Sequence, residues 1–561
     1  MLLNLQLTLI LMWLTTTVAK TIGPVGTITI ANKEIAPDGF KRPASLIDGA
    51  HPGPIITAQK GDRLKINVIN ELSDPNQMLG TTIHWHGMFQ KGTNFMDGTA
   101  GVTQCPIAPN NSFQYDFQVS GAGTFWYHSH FGVQYCDGVR GAFIVYDPSD
   151  PLKSLYDVDD ESTIITLSEW YHLLAVDVTA IELADSTLIN GKGRYPSGDN
   201  TELAVVNVQQ GKRYRLRLIS ISCDPNFTFS VDGHNLTVIE VEGIAVTPET
   251  VNSIRIYAGQ RYSVVLNAGQ PIDNYWIRAL PDSGHENLSS TFENGVNSAI
   301  LRYGGAGNQE PTSMQQTQIT PLIEANLHPS SAIEVPGEAD PNGADKIFNF
   351  TFGYDPDTSL FSVNNVVYNP PAVPVLLQIL SGAKNAHDLF PKGSVYTVER
   401  NKTVQINLPS GLIGGPHPFH LHGHNFHVVR SADTGEFNFD NPVVRDTVNA
   451  GDTEGDYVAI RFRTDNPGPW IFHCHIDFHM KNGLSVVFAE APDDVAAANP
   501  NPPEEWDQLC PIWDSEPNSV KHAATMILDP LINFAFGPIF PVYILLRFPT
   551  SLICMKPNAF H

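Results

Sequence analysis

Apolar and polar residues alternate along most of this chain. Leu64, Ile66 and Val68 are separated by polar neighbours, as are Phe113, Tyr115, Phe117 and Val119, then Tyr214, Leu216 and Leu218, and later Val404, Ile406 and Leu408. Successive side chains of a strand point to opposite faces, so a period of two predicts strands with one buried and one wet face. Forty-four glycines and 42 prolines punctuate these runs as turns. The pattern predicts an all-β chain of sandwiches or barrels. The strands also repeat. Gly61-Asp-Arg-Leu-Lys-Ile-Asn-Val precedes Thr124-Phe-Trp126-Tyr-His128, and Gly211-Lys-Arg-Tyr-Arg-Leu-Arg-Leu precedes Asn274-Tyr-Trp276-Ile-Arg278 at the same interval; a third copy runs from Lys402-Thr-Val-Gln-Ile-Asn-Leu to Pro469-Trp470-Ile-Phe-His473. Three copies of one β-sandwich are expected, with boundaries near Asp147–Pro151 and Gly304–Pro311, giving domains at 20–150, 151–310 and 311–516.

Composition bounds this picture without changing it. The 561 residues exceed one ordinary domain, and 42% hydrophobic against 16% charged residues allows sizeable cores. A net charge of -25 argues against a nucleic-acid partner, which would need basic side chains against phosphate. The apolar run Leu9–Leu14 followed by Thr15-Thr-Thr-Val-Ala19 reads as a secretory signal over 1–19, too short to span a bilayer. Sequons at Asn110, Asn226, Asn235, Asn287, Asn349 and Asn401 fit a secreted, extracellular glycoprotein, and the cysteines, at 105, 136, 223, 474, 510 and 554, are compatible with disulfides on that route.

The copies differ in their histidines. After its tryptophan the first carries Tyr127-His128-Ser129-His130 and the third His473-Cys474-His475, but the second has Ile277-Arg278-Ala279. Metal chemistry is therefore assigned to the first and third copies, and the second is read as a spacer that also shapes the substrate surface. Four segments present histidines at i and i+2: Ile83-His-Trp-His-Gly87, Trp126-Tyr-His-Ser-His130, His417-Pro-Phe-His-Leu-His422 and His473-Cys-His-Ile-Asp-Phe-His479. One such pair is more often incidental than functional; four together predict a metal centre. On an extended strand His473 and His475 share one face and Cys474 takes the other, so one strand can serve metals on both sides. Cys474 with His417 and His479 is the trigonal thiolate and imidazole set of a blue-copper site. The remaining eight histidines, in segments with no carboxylate between them, point to a copper cluster, with zinc as the competing reading.

The stretches HWHGMFQKGTNFMDGTAGVTQCPI, GTFWYHSHFGVQYCDGVRGAFIVYDP, HPFHLHGHNF and GPWIFHCHIDFHMKNGLSVVFAE resemble the four copper signatures of multicopper oxidases, and specifically of fungal, basidiomycete-type laccases. The likeness extends over about residues 21 to 516. It implies three consecutive cupredoxin-like Greek-key domains and four copper ions. His417, Cys474 and His479 would hold the type-1 copper, with Leu484 at the axial position as a non-ligand; His84 and His420 the type-2 copper; and His86, His128, His130, His422, His473 and His475 the two type-3 coppers. Electrons from the type-1 site would reach the cluster through Cys474 and His473 or His475. Asp224 resembles the carboxylate that takes a proton from phenols beside His479, and Asp97 one that supplies protons near the type-2 copper. The resemblance also implies disulfides Cys105–Cys510 and Cys136–Cys223.

The implied activity is that of a secreted laccase, probed by phenols and aromatic amines as small-molecule partners, with dioxygen reduced to water and lignin-derived phenols among the candidate donors. The enzyme is expected to be a monomer with no membrane partner. The alternatives are a related oxidase of ascorbate, bilirubin or ferrous iron, and a secreted copper-binding protein without turnover. Residues 517–561, with the short apolar run Leu531–Leu546 broken by Pro538 and Pro541, are read as an atypical tail and a poor spanning helix.

Overall fold

The computed structural model describes residues 20–179, 182–284, 291–432 and 434–525. The signal reading of 1–19, the tail from 526 onward, and the Asn287 sequon lie outside the described residues. Among the described residues, no helix is long and apolar enough to cross a membrane.

The alternating runs form strands as their period requires. Arg63–Asn70 pairs antiparallel with Ser112–Gln118, setting Leu64 opposite Phe117, Ile66 opposite Tyr115 and Val68 opposite Phe113. All six side chains are buried in one core. Removing a side chain of this size from water contributes about 1.5–3 kcal/mol, so one wrong register step would turn this row toward solvent and forfeit most of it.

The first sandwich combines this four-stranded sheet with a five-stranded one that ends in Gly123–His128 and, at its edge, His84–His86. A seven-stranded and a five-stranded sheet form the second. The third has two five-stranded sheets, one of which contains Pro418–Leu421 and Gly468–Cys474 as neighbours, together with a two-stranded hairpin. The three stand against one another through buried polar ties. Arg140 of the first donates to Glu169 at 2.8 Å and to the carbonyl of Ile221 at 2.7 Å.

Among the described residues helices are few, and the longest, Glu504–Ser515, carries acidic residues in its first turn, where the positive end of the helix dipole favours them. It lies on the first sandwich: the Trp506 indole donates to the carbonyl of Thr103 at 3.0 Å, and Cys510 is disulfide-bonded to Cys105. A second disulfide joins Cys136 to Cys223 across the first two sandwiches. Among the described residues Cys474 is the free cysteine.

Candidate metal centre

Strand register decides which side of the third sandwich each ligand serves. Phe419 lies opposite Cys474, and His420 opposite His473. Cross-strand partners share a face, so Cys474 points with Phe419 into the sandwich core, while His473 and His420 point out of it together. Outside that face stands the His84–His86 and Gly123–His128 edge of the first sandwich, with His84 opposite His128.

On the core side, Cys474 Sγ lies 3.5 Å from His417 Nδ1 and 3.8 Å from His479 Nδ1, and the two nitrogens are 3.1 Å apart. A point equidistant from the three atoms is about 2 Å from each, the ligand distance of copper or zinc. His417 Nε2 is tethered to the carbonyl of Leu412 at 3.2 Å, which turns the Nδ1 lone pair to the centre of the triangle. All three residues are buried. Burial pushes the Cys474 thiol well above its usual range and His417 down to about 4, so a thiolate here requires a cation and the imidazole is neutral. Leu484, fully buried, donates its N–H to the His479 carbonyl at 3.0 Å and accepts from Cys474 N–H at 3.1 Å. The Phe361 ring closes the site, 4.5 Å from that of His479.

On the other side, the eight remaining histidines form one buried cluster, each with one ring nitrogen turned inward. His84, His128 and His420 are tethered through Nδ1 to the carbonyls of Asp97, Ser129 and Asp446 at 2.8, 2.9 and 2.9 Å. Their Nε2 atoms are buried and without a hydrogen-bond partner. His422 Nδ1 is held by Asp97 Oδ2 at 2.9 Å, His473 Nδ1 by the carbonyl of Cys474 at 2.9 Å, and yet their Nε2 atoms face each other at 3.2 Å. With both protons committed elsewhere, that contact sets lone pair against lone pair and is favourable only with a cation between them. His475 Nε2 and His86 Nδ1 approach to 3.2 Å, and His130 Nε2 lies 3.4 Å from His473 Nε2. Burial, then mutual repulsion, holds His86, His130, His420 and His422 well below the usual imidazole range. The donor set fits soft or borderline metal ions, and copper in particular at the thiolate end.

Carboxylates stand behind the cluster histidines, Asp97 as the sequence leads us to expect and Asp446 in addition. Asp97 accepts from Thr99 at 2.8 Å in addition to holding His422, and its backbone is pinned by Gly98, where a Cβ would lie 1.8 Å from the carbonyl oxygen of Ile83. Asp446 Oδ1 is 3.1 Å from His86 Nε2, and Arg261 grips both its oxygens at 2.7 Å. Nothing in the local sequence Val444-Arg445-Asp446-Thr447 marks that aspartate. Tyr135, inside the second signature stretch but given no role there, places its hydroxyl 3.2 Å from His475 Nδ1.

Asp224 accepts from the Tyr171 hydroxyl at 2.9 Å, and the Tyr171 ring stands edge-on to Phe478, the residue before His479. Desolvation of this half-buried carboxyl pushes it up to about 7. Other histidines are structural: His424 is 2.8 Å from Glu490, and His172 is 2.8 Å from Asp38.

Three distinct multicopper oxidase family models match this chain, at residues 29–150, 161–306 and 368–494. Laccase-2 of Trametes versicolor is 56% identical over 498 residues, covering 88% of this chain and 95% of its own. The laccase of Pycnoporus cinnabarinus is 54% identical over the same length, again 88% of this chain and 95% of its own. Among solved structures, the laccase of Botrytis aclada matches with a TM-score of 0.75 at 31% identity, covering 90% of this chain and 94% of its own. Fet3p, described as a multicopper oxidase that functions in iron import, matches with a TM-score of 0.76 at 28% identity, covering 91% and 98%.

Proposed function

The chain belongs to the multicopper oxidases and is a laccase among them, and from that premise we propose that it binds four coppers, removes single electrons from phenols and aromatic amines, and reduces dioxygen to water. The observation that carries this reading is the buried Cys474, His417 and His479 triangle, joined by one peptide bond on each side to histidines of the cluster. His417, Cys474 and His479 would hold a type-1 copper, His84 and His420 a type-2 copper, and His86, His128, His130, His422, His473 and His475 a type-3 pair. Bound copper would supply one-electron redox chemistry at the thiolate and multi-electron reduction of dioxygen at the cluster. Domain limits at 20–150, 151–310 and 311–516, secretion after a signal over 1–19, and a monomeric enzyme belong to the same proposal. Metal analysis and visible absorption of the purified protein test it: four coppers per chain and an intense thiolate-to-copper band are expected, and zinc without that band would refute it.

The chain's own residues divide the work. Cys474 and its neighbours give the shortest covalent path between the two sites, reinforced by the bond from His473 Nδ1 to the Cys474 carbonyl. Asp224 would take the phenolic proton. A carboxyl raised to about 7 is neutral below that pH and becomes a base as pH rises through it, so phenol oxidation is expected to increase with pH across this window. Asp224→Asn should remove that limb and lower kcat/KM for phenols by on the order of a hundredfold, leaving a donor without a transferable proton nearly unaffected. An unchanged phenol profile would eliminate Asp224 as the base.

Leu484 offers no donor atom, so a copper held by His417, Cys474 and His479 would gain no ligand from this position, which would favour the reduced ion. Leu484→Met should lower the potential of the blue site in a redox titration; a potential equal to that of the unmodified protein would mean that this residue is packing alone.

A further inference from the structure

We propose that Glu242 of the second sandwich is a positioning residue for the histidine cluster, clamping the corner Arg445-Asp446-Thr447 so that Asp446 aligns His86 and His420. The inference rests on the copper assignment above and extends it to a domain that contributes no ligand.

Asp446 stands where the chain leaves one sheet of the third sandwich, at Val444–Arg445, and enters the other, at Thr447–Asn449. Such a corner draws its backbone partners from outside its own strands. Glu242 supplies them. Its carboxylate accepts from the N–H of Asp446 at 2.7 Å, the N–H of Thr447 at 3.0 Å and the Arg445 guanidinium at 2.6 Å. Glu242 itself is buried in a tight turn between Leu236–Val241 and Ile244–Val251, with a φ of 49° that a non-glycine side chain adopts only where its surroundings hold it.

A second residue of the same sandwich grips the side chain of this corner. Arg261 forks onto both Asp446 oxygens and also donates to the carbonyl of Thr124 at 3.1 Å, so the carboxylate is fixed relative to all three sandwiches. Two histidines depend on the result. Asp446 Oδ1 meets His86 Nε2 at 3.1 Å, and the Asp446 carbonyl meets His420 Nδ1 at 2.9 Å. One residue thus sets the tautomer of two rings from two different sandwiches, and each ring presents its other nitrogen to the cluster. Gly259 brings the backbone of the second sandwich to the same place: a Cβ there would be 2.8 Å from His475 Cδ2 and 3.1 Å from His86 Cε1. The sandwich without ligands is one wall of the cluster.

The test uses full-length copper-loaded protein with Glu242→Gln, which puts an amide where three donors converge, and Glu242→Asp, which keeps the charge but is too short to span all three. Copper content, the paramagnetic resonance of the cluster, the blue band, and the two half-reactions are measured separately. Blue-band reduction by phenol without oxygen should stay within about twofold of wild type, whereas cluster copper or the rate of reoxidation by dioxygen should fall about tenfold to a hundredfold in Glu242→Gln and less in Glu242→Asp. Glu242→Gln folded and blue with unchanged cluster resonance and reoxidation would overturn the inference. Loss of the blue band in both would also overturn it, making Glu242 a determinant of the fold. Wild-type protein lacking cluster copper would instead overturn the copper assignment itself, and this inference with it.

Discussion

Replacing Cys474 with serine should abolish the blue band and lower phenol oxidation at least about a thousandfold, equivalent to about 4 kcal/mol of lost transition-state stabilisation. The hydroxyl is close to the thiol in size, and the site is enclosed by Phe419, Phe472 and Leu484 in one core, so the variant should fold. What changes is the ligand: a hydroxyl is harder and far less acidic than a thiol, and does not replace thiolate at a trigonal copper site. The cluster histidines keep their tethers, because those run to backbone carbonyls and carboxylates rather than to the sulfur. Chemically reduced variant should therefore still be reoxidised by dioxygen at its cluster. Phenol turnover within tenfold of wild type would remove Cys474 from the electron path.

Asp97→Asn should produce the opposite division. The two Asp97 contacts differ in kind: its carbonyl holds His84 Nδ1 at 2.8 Å, with carboxylate Oδ1 also 3.3 Å from that nitrogen, while carboxylate Oδ2 holds His422 Nδ1 at 2.9 Å. Asparagine preserves the first and weakens the second, since the neutral amide oxygen is a poorer acceptor and the amide nitrogen competes as a donor facing a ring N–H. Dioxygen reduction and cluster copper affinity should fall by about tenfold to a hundredfold. Reduction of the type-1 site by phenol should be unaffected, because that site lies on the other face of the Gly468–Cys474 strand. Stopped-flow measurement of the two half-reactions distinguishes these effects; equal loss in both would mean a general defect of packing.

Legibility in the sequence followed the distance over which each feature is encoded. The parity of His473, Cys474 and His475 is a local property of an extended chain, and the register that sets Phe419 opposite Cys474 and His420 opposite His473 agrees with it. The alternating runs were similarly sufficient for an all-β fold, because buried rows such as Leu64, Ile66 and Val68 tolerate no slip of register. Asp446 was invisible for the complementary reason. It lies 360 residues from His86, in a segment with no spacing that marks a ligand, and only the folded corner brings them together. Arg261 and Glu242 are further examples, 185 and 204 residues from the aspartate they hold. The second sandwich, read as a spacer that also shapes the substrate surface, in addition bonds Asp446 through Arg261 and Glu242, and absence of ligands in a domain says nothing about such contacts. Asp97 shows an intermediate case: Asp97-Gly98 reads as a turn, and the turn is real, but its tightness serves to fix a carboxylate and a carbonyl against two histidines.

The most direct measurement is the stoichiometry of dioxygen consumption against phenol oxidised by the purified copper-loaded enzyme, with hydrogen peroxide assayed in the same vessel. Delivery of single electrons into a closed histidine cluster gives one dioxygen consumed for every four one-electron oxidations and no accumulated peroxide. One dioxygen for every two, with peroxide released, would contradict it.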